Sequence, residues 1–236
     1  MKKIIFAIVG FIVSLNIFGQ TSGGQIRRKP TPTVRSLQNK KNNDGNLYAK
    51  TGVHNGYDYV DLGLSVRWAT CNVGAFSPEQ YGNYYAWGET SGRTDYGNIA
   101  QNRIRTDIGA NISGTIYDAA SVNMGGSWRM PQKAEIQELI DKCKWKKAKH
   151  KGVDGFCITG PNNKSLFIPA AGSYIEKERS PGYYVDMWTS TAEIEGRLCW
   201  VYHVHIDNNK YETPPVSPIL IRESYFVGMC IRAVID

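Results

Sequence analysis

The chain has 236 residues, a net charge of +7, 42% hydrophobic residues and five cysteines. This length allows one domain of ordinary size with a tail, and a core that needs neither disulfides nor a metal to form. Seven basic residues lie between positions 21 and 52 against Asp44 alone, so the rest of the chain is nearly neutral and the composition gives no support for a nucleic-acid-binding domain.

The first 19 residues have the three regions of a signal peptide. Lys2 and Lys3 give a positive start, Ile4–Phe18 is an almost continuous apolar run, and the small Gly19 precedes a polar stretch. A run of about 15 residues is shorter than the roughly 20 that a membrane helix needs. We therefore expect a protein that is secreted, at the cell surface or in the periplasm, with no membrane span after signal cleavage. An uncleaved anchor is the alternative.

Residues 20–52 are rich in Gln, Asn, Lys, Thr and Gly and contain almost no large apolar side chains. Such a segment buries too little surface to offset the entropy of ordering it. We predict a basic disordered tether here, followed by one folded domain over residues 53–236.

Two alternating segments open the domain. Residues 57–62 and 64–71 are predicted strands separated by Gly63, and residues 84–88 form a short aromatic strand. The polar stretch over residues 91–114 is predicted to be a long loop.

Two helices follow. Residues 115–123 fit a short helix with Asp118 near its start. Pro131 then precedes a segment in which apolar residues recur every three or four positions, which predicts an amphipathic helix ending near Cys143.

The remainder is typical of strands and loops. Residues 155–159 and 164–168 flank a Gly-Pro-Asn-Asn turn and predict a hairpin, and further strands are expected over 183–191, 198–206 and 225–234. The fold class is therefore α+β, with one or two short helices early, followed by antiparallel hairpins and long loops.

Three groups of residues are candidates for a site. Tyr96 in the long loop and Tyr183 beside a Pro-Gly pair are candidate surface rings for stacking on a sugar. The lysines after the second helix, among them Lys146, Lys147 and Lys149, could bind an anionic glycan or headgroup, although a solvated cationic loop is the simpler interpretation.

His203, His205 and Asp207 alternate on one predicted strand. A His-x-His pair can bind zinc. The simpler interpretation, which we favour, is a solvent-facing strand surface opposite the core.

Several sequence blocks resemble the Fibrobacter succinogenes major paralogous domain, which is abundant in secreted Bacteroidetes proteins. The blocks occur in the same order as in that family and span about residues 55–236. They are YVDLGLSVRWATCNVGA at Tyr59–Ala75, YYAWGET at Tyr84–Thr90, GGSWRMP at Gly125–Pro131 with CKW at Cys143–Trp145, FIPAAG at Phe167–Gly172, and WTST at Trp188–Thr191.

The resemblance implies a C-type-lectin-like fold, related to formylglycine-generating enzymes. Neither calcium-ligand triplet of sugar-binding lectins is present, and the sequence around Cys199 and Cys230 does not match the copper motif of the enzymes. We therefore expect no metal site and no cofactor.

We interpret the chain as a non-enzymatic binding domain whose ligand is a glycan or a protein partner. Two alternatives stay open: a structural module of a surface assembly, and an oxidoreductase like the formylglycine generators. Because Cys71 and Cys143 both lie inside family-like blocks, we also predict a disulfide between them, with five free thiols as the alternative.

Limited trypsin digestion tests the tether. Because residues 20–52 contain no core-forming residues, we expect trypsin to cleave between Arg27 and Lys50 and to leave a stable fragment that begins near Gly52. The fragment is identified by intact mass and N-terminal sequencing. Protection of these basic sites under conditions that cleave a denatured control would contradict the prediction.

Overall fold

The structure is a computed structural model that describes residues 50–97, 107–208 and 217–236. The signal peptide, nearly all of the predicted tether and part of the long loop lie outside the described residues. Within the described ranges there are two helices and thirteen strands. The helices are α1 (Ala119–Met124) and α2 (Lys133–Lys142). The strands are β1 (Gly52–His54), β2 (Tyr57–Val60), β3 (Arg67–Ala69), β4 (Lys144–His150), β5 (Val153–Thr159), β6 (Ser165–Pro169), β7 (Ser173–Ile175), β8 (Glu178–Arg179), β9 (Tyr184–Glu195), β10 (Leu198–Asp207), β11 (Ile219–Ser224), β12 (Gly228–Met229) and β13 (Val234–Ile235).

The strands form four small sheets with the orders β1-β2-β3-β13, β4-β5-β6, β11-β10-β9 and β12-β7-β8. Every pair of these strands is antiparallel. The expectation of a chain dominated by antiparallel strands with few helices is confirmed at this level. In the part of the chain that the structure describes, no helix is long and apolar enough to cross a membrane.

Two tight turns follow directly from the sequence. Asn55 and Gly56 have φ values of 45° and 82°, the left-handed values that a two-residue hairpin between β1 and β2 requires. The predicted hairpin at residues 155–168 is also observed, because β5 pairs with β6 and the Gly160 N–H donates to the Lys164 carbonyl at 2.9 Å across the turn.

Both predicted helices are confirmed, with boundaries set by capping. In α2, Gln132 and Glu135 form a reciprocal capping box, and Ile136 and Leu139 bury the apolar face. In α1, the cap is Asp118, which is completely buried.

Asp118 organises more than one helix. Its Oδ1 accepts from the N–H groups of Ala120 and Ser121 at 2.8 and 3.0 Å, and its Oδ2 accepts from those of Gly114 and Met130, each at 2.8 Å. One carboxylate therefore satisfies four backbone donors from three segments.

Two local predictions are wrong, and the strand predicted over residues 225–234 is reduced to the two-residue strands β12 and β13. The lysine-rich stretch after α2 is the edge strand β4, not a loop, because each of its residues pairs with β5. Lysines on an edge strand keep it from pairing with other chains. Residues 84–88 are not a strand; Tyr85 makes only an isolated antiparallel bridge to Met229.

The core divides into two large clusters of buried apolar residues. One contains Trp87, Trp128 and Trp188, and the other lies between α2 and the inner faces of β5, β6, β9 and β10. The second cluster packs on one face of β9 and β10, and the other face carries Trp188 of the first cluster together with Asp186, His203 and His205.

Substitution of the buried cap tests its role in stability. Asp118→Ala leaves four backbone N–H groups without their acceptor, and we expect the free energy of unfolding to fall by about 3 kcal/mol or more. Urea denaturation monitored by circular dichroism gives this value. Asp141→Ala, on the exposed side of α2, is the control and should change stability by less than about 0.5 kcal/mol. Equal effects of the two substitutions would contradict the assignment.

Candidate functional site

A cleft of about 480 Å³ opens beside the β1–β2 turn. This volume lies in the range of small-ligand sites, about 300–1,000 Å³. Its walls combine apolar groups with amide and carboxylate groups. They are formed by Asn55, Gly56, Tyr57, Asp58, Ala69, Thr70, Cys71, Asn72, Ala75, Phe76 and Met124.

Phe76 is the most exposed large apolar side chain of this cleft, at 94% exposure. Its backbone is nevertheless held firmly, since its N–H donates to Gln80 Oε1 at 2.7 Å and the preceding Ala75 N–H donates to the Asn72 carbonyl at 2.9 Å. Gly74, with φ of 82°, makes this tight turn possible; a Cβ there would lie 2.5 Å from the Asn83 side chain. An ordered loop thus presents a solvated ring beside the cleft.

Polar groups of the cleft are partly engaged by the protein itself. Asp58 forms an ion pair with Lys50 at 2.7 Å, and its side chain remains 40% exposed. Asn55 donates to the Met124 carbonyl, which joins the turn to the end of α1. The carboxylate of Asp58 is therefore a partly exposed acceptor in the wall of the cleft.

Sequence reasoning missed Phe76. The available signal was a lone aromatic residue inside a turn marked by Gly74 and Pro78.

The expectation that Tyr96 lies on the surface is wrong. The residue is 2% exposed, and its hydroxyl donates to the Tyr84 carbonyl at 2.6 Å. Its ring packs beside Tyr174, with centroids 5.7 Å apart. The loop is polar, which predicted an exposed ring, but the Tyr96 ring packs into the core and anchors the loop there.

Tyr183 is at the surface, with 65% exposure, immediately before β9. Its ring lies 6.2 Å from that of Tyr184, which in turn lies 5.3 Å from the His205 ring. Its role as a ligand contact stays a prediction.

Lys146, Lys147 and Lys149 are all exposed on β4, but they do not form one cationic face. Side chains alternate along a strand, so Lys146 points away from the side that carries Lys147 and Lys149. Lys149 is also 3.3 Å from Asp154 on β5. These lysines lie on the β4-β5-β6 sheet, whereas Tyr183 immediately precedes β9 of the β11-β10-β9 sheet. The two groups of predicted ligand contacts are therefore on different sheets.

Cys71 and Cys143 are not bonded to each other, so the predicted Cys71–Cys143 disulfide is absent. Cys71 follows β3 and lines the cleft, whereas Cys143 caps α2 and packs on the second core cluster. Burial raises the pKa of Cys143 and of Cys199 to about 11, and that of Cys230 to about 12. These three thiols are therefore protonated at neutral pH.

A second constellation lies on the other face of β9 and β10. Asp186 Oδ1 is 2.7 Å from His205 Nδ1 and 3.8 Å from His203 Nε2. The interpretation of this surface as solvated is wrong for His203, which is 2% exposed, and the acidic neighbour is Asp186 rather than Asp207. Sequence reasoning missed Asp186 because it lies on the neighbouring strand.

Burial and charge act oppositely on the two imidazoles. Burial lowers the pKa of His203 to about 4, and the nearby His205 acts in the same direction. The negative charges of Asp186 and Glu223 act to raise this pKa but do not outweigh burial. The hydrogen bond with Asp186 raises the pKa of His205 above its ordinary value. Near neutral pH, His203 is therefore a neutral imidazole beside a hydrogen-bonded His205–Asp186 pair.

Comparisons with protein-family models, with curated proteins and with solved structures found no significant match to this chain.

The pH dependence of stability tests the burial of His203. Unfolded His203 takes up a proton below about pH 6.5, whereas the folded state resists it until about pH 4. The free energy of unfolding should fall by about 3 kcal/mol over this interval because of His203. In His203→Leu, we expect the free energy of unfolding to decline less steeply as the pH falls. Urea denaturation at a series of pH values measures it, with a chelator present so that bound metal does not contribute.

His205→Gln is the matched control, because His205 stabilises the fold below its raised pKa and loses this contribution only as the pH rises through it. The decline below pH 6.5 should persist in His205→Gln. The same slope in wild type and His203→Leu between pH 6.5 and 4.5 would contradict the assignment.

Proposed function

We propose that this chain is a secreted, non-enzymatic binding domain on a C-type-lectin-like scaffold, and that it binds a glycan in the cleft beside Phe76. The observation that carries the proposal is the 94% exposed Phe76 ring, held on an ordered turn at the edge of a cleft of about 480 Å³.

The chemistry of the cleft suits a sugar. A pyranose ring has an apolar face of C–H groups that an aromatic ring can cover, and hydroxyl groups at its edge that need hydrogen-bond partners. Phe76 and Tyr57 supply rings, and Asp58 supplies a partly exposed carboxylate. The site thus combines apolar contact with polar orientation.

The energetics favour a ligand at Phe76. The ring makes little internal contact, so covering it would gain about 1.5–3 kcal/mol without loss of a core contact. Because the turn that carries it is already hydrogen-bonded, little additional ordering is required on binding. Preorganised, solvated aromatic residues are typical binding hot spots.

A glycan array probed with the labelled chain tests the proposal. We expect the chain to bind a defined class of glycans and Phe76→Ala to weaken that binding about tenfold or more, which corresponds to roughly 1.4 kcal/mol. Ile116→Ala is the control, because Ile116 is 77% exposed but does not line this cleft. Thermal melting should show that both variants are as stable as wild type.

Three outcomes would contradict the proposal. They are the absence of glycan binding, equal binding by Phe76→Ala and wild type, and loss of binding only in Tyr183→Ala, which would move the site to the start of β9. A chain that binds no glycan but forms ordered assemblies would favour the structural alternative.

A further inference from the structure

We propose that Asp186, His203 and His205 form a binding site for a divalent transition-metal ion, zinc in first place, with Asp186 Oδ1, His203 Nε2 and His205 Nδ1 as ligand atoms. One ligand atom from each residue lies within 4.8 Å of the others. This site is separate from the cleft beside Phe76 and goes beyond the proposed glycan binding.

The ligand types match zinc chemistry. Imidazole nitrogen and carboxylate oxygen bind Zn²⁺ at about 2.0–2.2 Å, and two histidines with one carboxylate leave a fourth tetrahedral position open. Ligand atoms around such an ion are about 3.3 Å apart, by tetrahedral geometry from these bond lengths. The distances from Asp186 Oδ1, 2.7 Å to His205 and 3.8 Å to His203, lie on either side of this value.

A simple ion pair does not account for His203. The His205–Asp186 hydrogen bond is complete at 2.7 Å, whereas His203 Nε2 is too far from the same oxygen, at 3.8 Å, for a hydrogen bond. An ion between His203 Nε2 and Asp186 Oδ1 would contact both atoms, which accounts for a separation that is too long for a hydrogen bond.

The backbone holds the three ligands rigidly. His203 and His205 lie two residues apart on β10, which is paired on both sides by β9 and β11. His205 is directly opposite Asp186 in the β9–β10 register. The register shifts between Val201 and His203, and such irregularities commonly re-aim side chains at functional sites.

Neighbouring aromatic rings restrict both imidazoles. The Trp188 ring lies edge-on to His203 with centroids 5.6 Å apart, and Tyr184 lies 5.3 Å from His205. Such packing holds the two imidazole rings close to the orientation that metal binding requires before the ion binds. The carboxylate of Glu223 adds a second negative charge in the electrostatic environment of His203, which favours a cation.

The open position faces solvent on the His205 side. The His205 side chain is 27% exposed, and its cross-strand neighbour Ile219 is 48% exposed. An ion held here would keep one water molecule that a donor atom of a ligand can replace. Binding through His205 Nδ1 displaces the proton of its hydrogen bond with Asp186, which moves to Nε2 of the same ring or, from a doubly protonated ring, to solvent.

Zinc titration of the untagged chain, after treatment with a chelator and its removal, tests the proposal. We expect one Zn²⁺ per chain by isothermal titration calorimetry and a rise in melting temperature with zinc concentration. His205→Gln and Asp186→Asn should each weaken zinc binding at least about tenfold. Co²⁺ in place of zinc should give the visible absorption of a tetrahedral site.

Two controls separate this site from other features. His150→Gln removes a histidine that lies 3.8 Å from Glu79 outside this site, and Phe76→Ala removes the ring at the cleft; neither should change zinc affinity. His205→Gln is the variant least prone to misfold, because its side chain is partly exposed, and Co²⁺ absorption of the wild type needs no variant. The proposal is overturned if zinc at 100-fold molar excess leaves the melting temperature unchanged, or if His205→Gln and Asp186→Asn bind as wild type does.

Discussion

A single buried cation fixes the relative position of three chain segments. Arg232 is completely buried, and its Nε donates to Asn72 Oδ1 at 2.9 Å. Its Nη1 and Nη2 donate to the carbonyls of Ala69 and Phe167 at 3.1 and 3.3 Å. Burial lowers the pKa of Arg232 to about 10, so it stays protonated at neutral pH. No carboxylate among the described residues forms an ion pair with it, so these neutral oxygens must compensate a charge whose burial costs several kcal/mol. The end of β3, the middle of β6 and the C-terminal segment therefore cannot shift independently.

Both sites depend on this arrangement. Asn72, which accepts from the buried arginine, donates through Nδ2 to the Tyr81 carbonyl at 2.8 Å and so closes the turn that carries Phe76. The same C-terminal segment places the Cys230 carbonyl 3.1 Å from the Trp188 N–H, which aligns β9 and hence Asp186. The loop with Phe76 and strand β9 are both held by the C-terminal segment around Arg232, so they move little relative to each other. A site that is already ordered loses less free energy on binding.

Local signals explain which elements could be predicted from the sequence. The β5–β6 hairpin and both helices were predictable because a turn sequence, a cap and an apolar period each act over a few residues. β4 was not, because its lysines satisfy an edge strand as well as a loop, and only pairing with β5 decides between them. Tyr96 and His203 are buried through contacts with residues elsewhere in the chain, Tyr84 for Tyr96 and Asp186 for His203. The absence of a Cys71–Cys143 disulfide likewise depends on how distant segments pack.

The two sites differ in when their surface loses water. Phe76 is solvated in the free protein, so covering its ring releases water only when a ligand arrives, and this gain of about 1.5–3 kcal/mol would belong to binding. Asp186 and His203 are already buried, so the free-energy cost of removing them from water was met during folding by the core on the opposite face of β9 and β10. A ligand that bridges them recovers electrostatic energy in a region of low polarity without a second desolvation of these groups. This difference supports the two proposals, a hydroxyl-rich ligand for the cleft and a small cation for the Asp186–His203–His205 cluster.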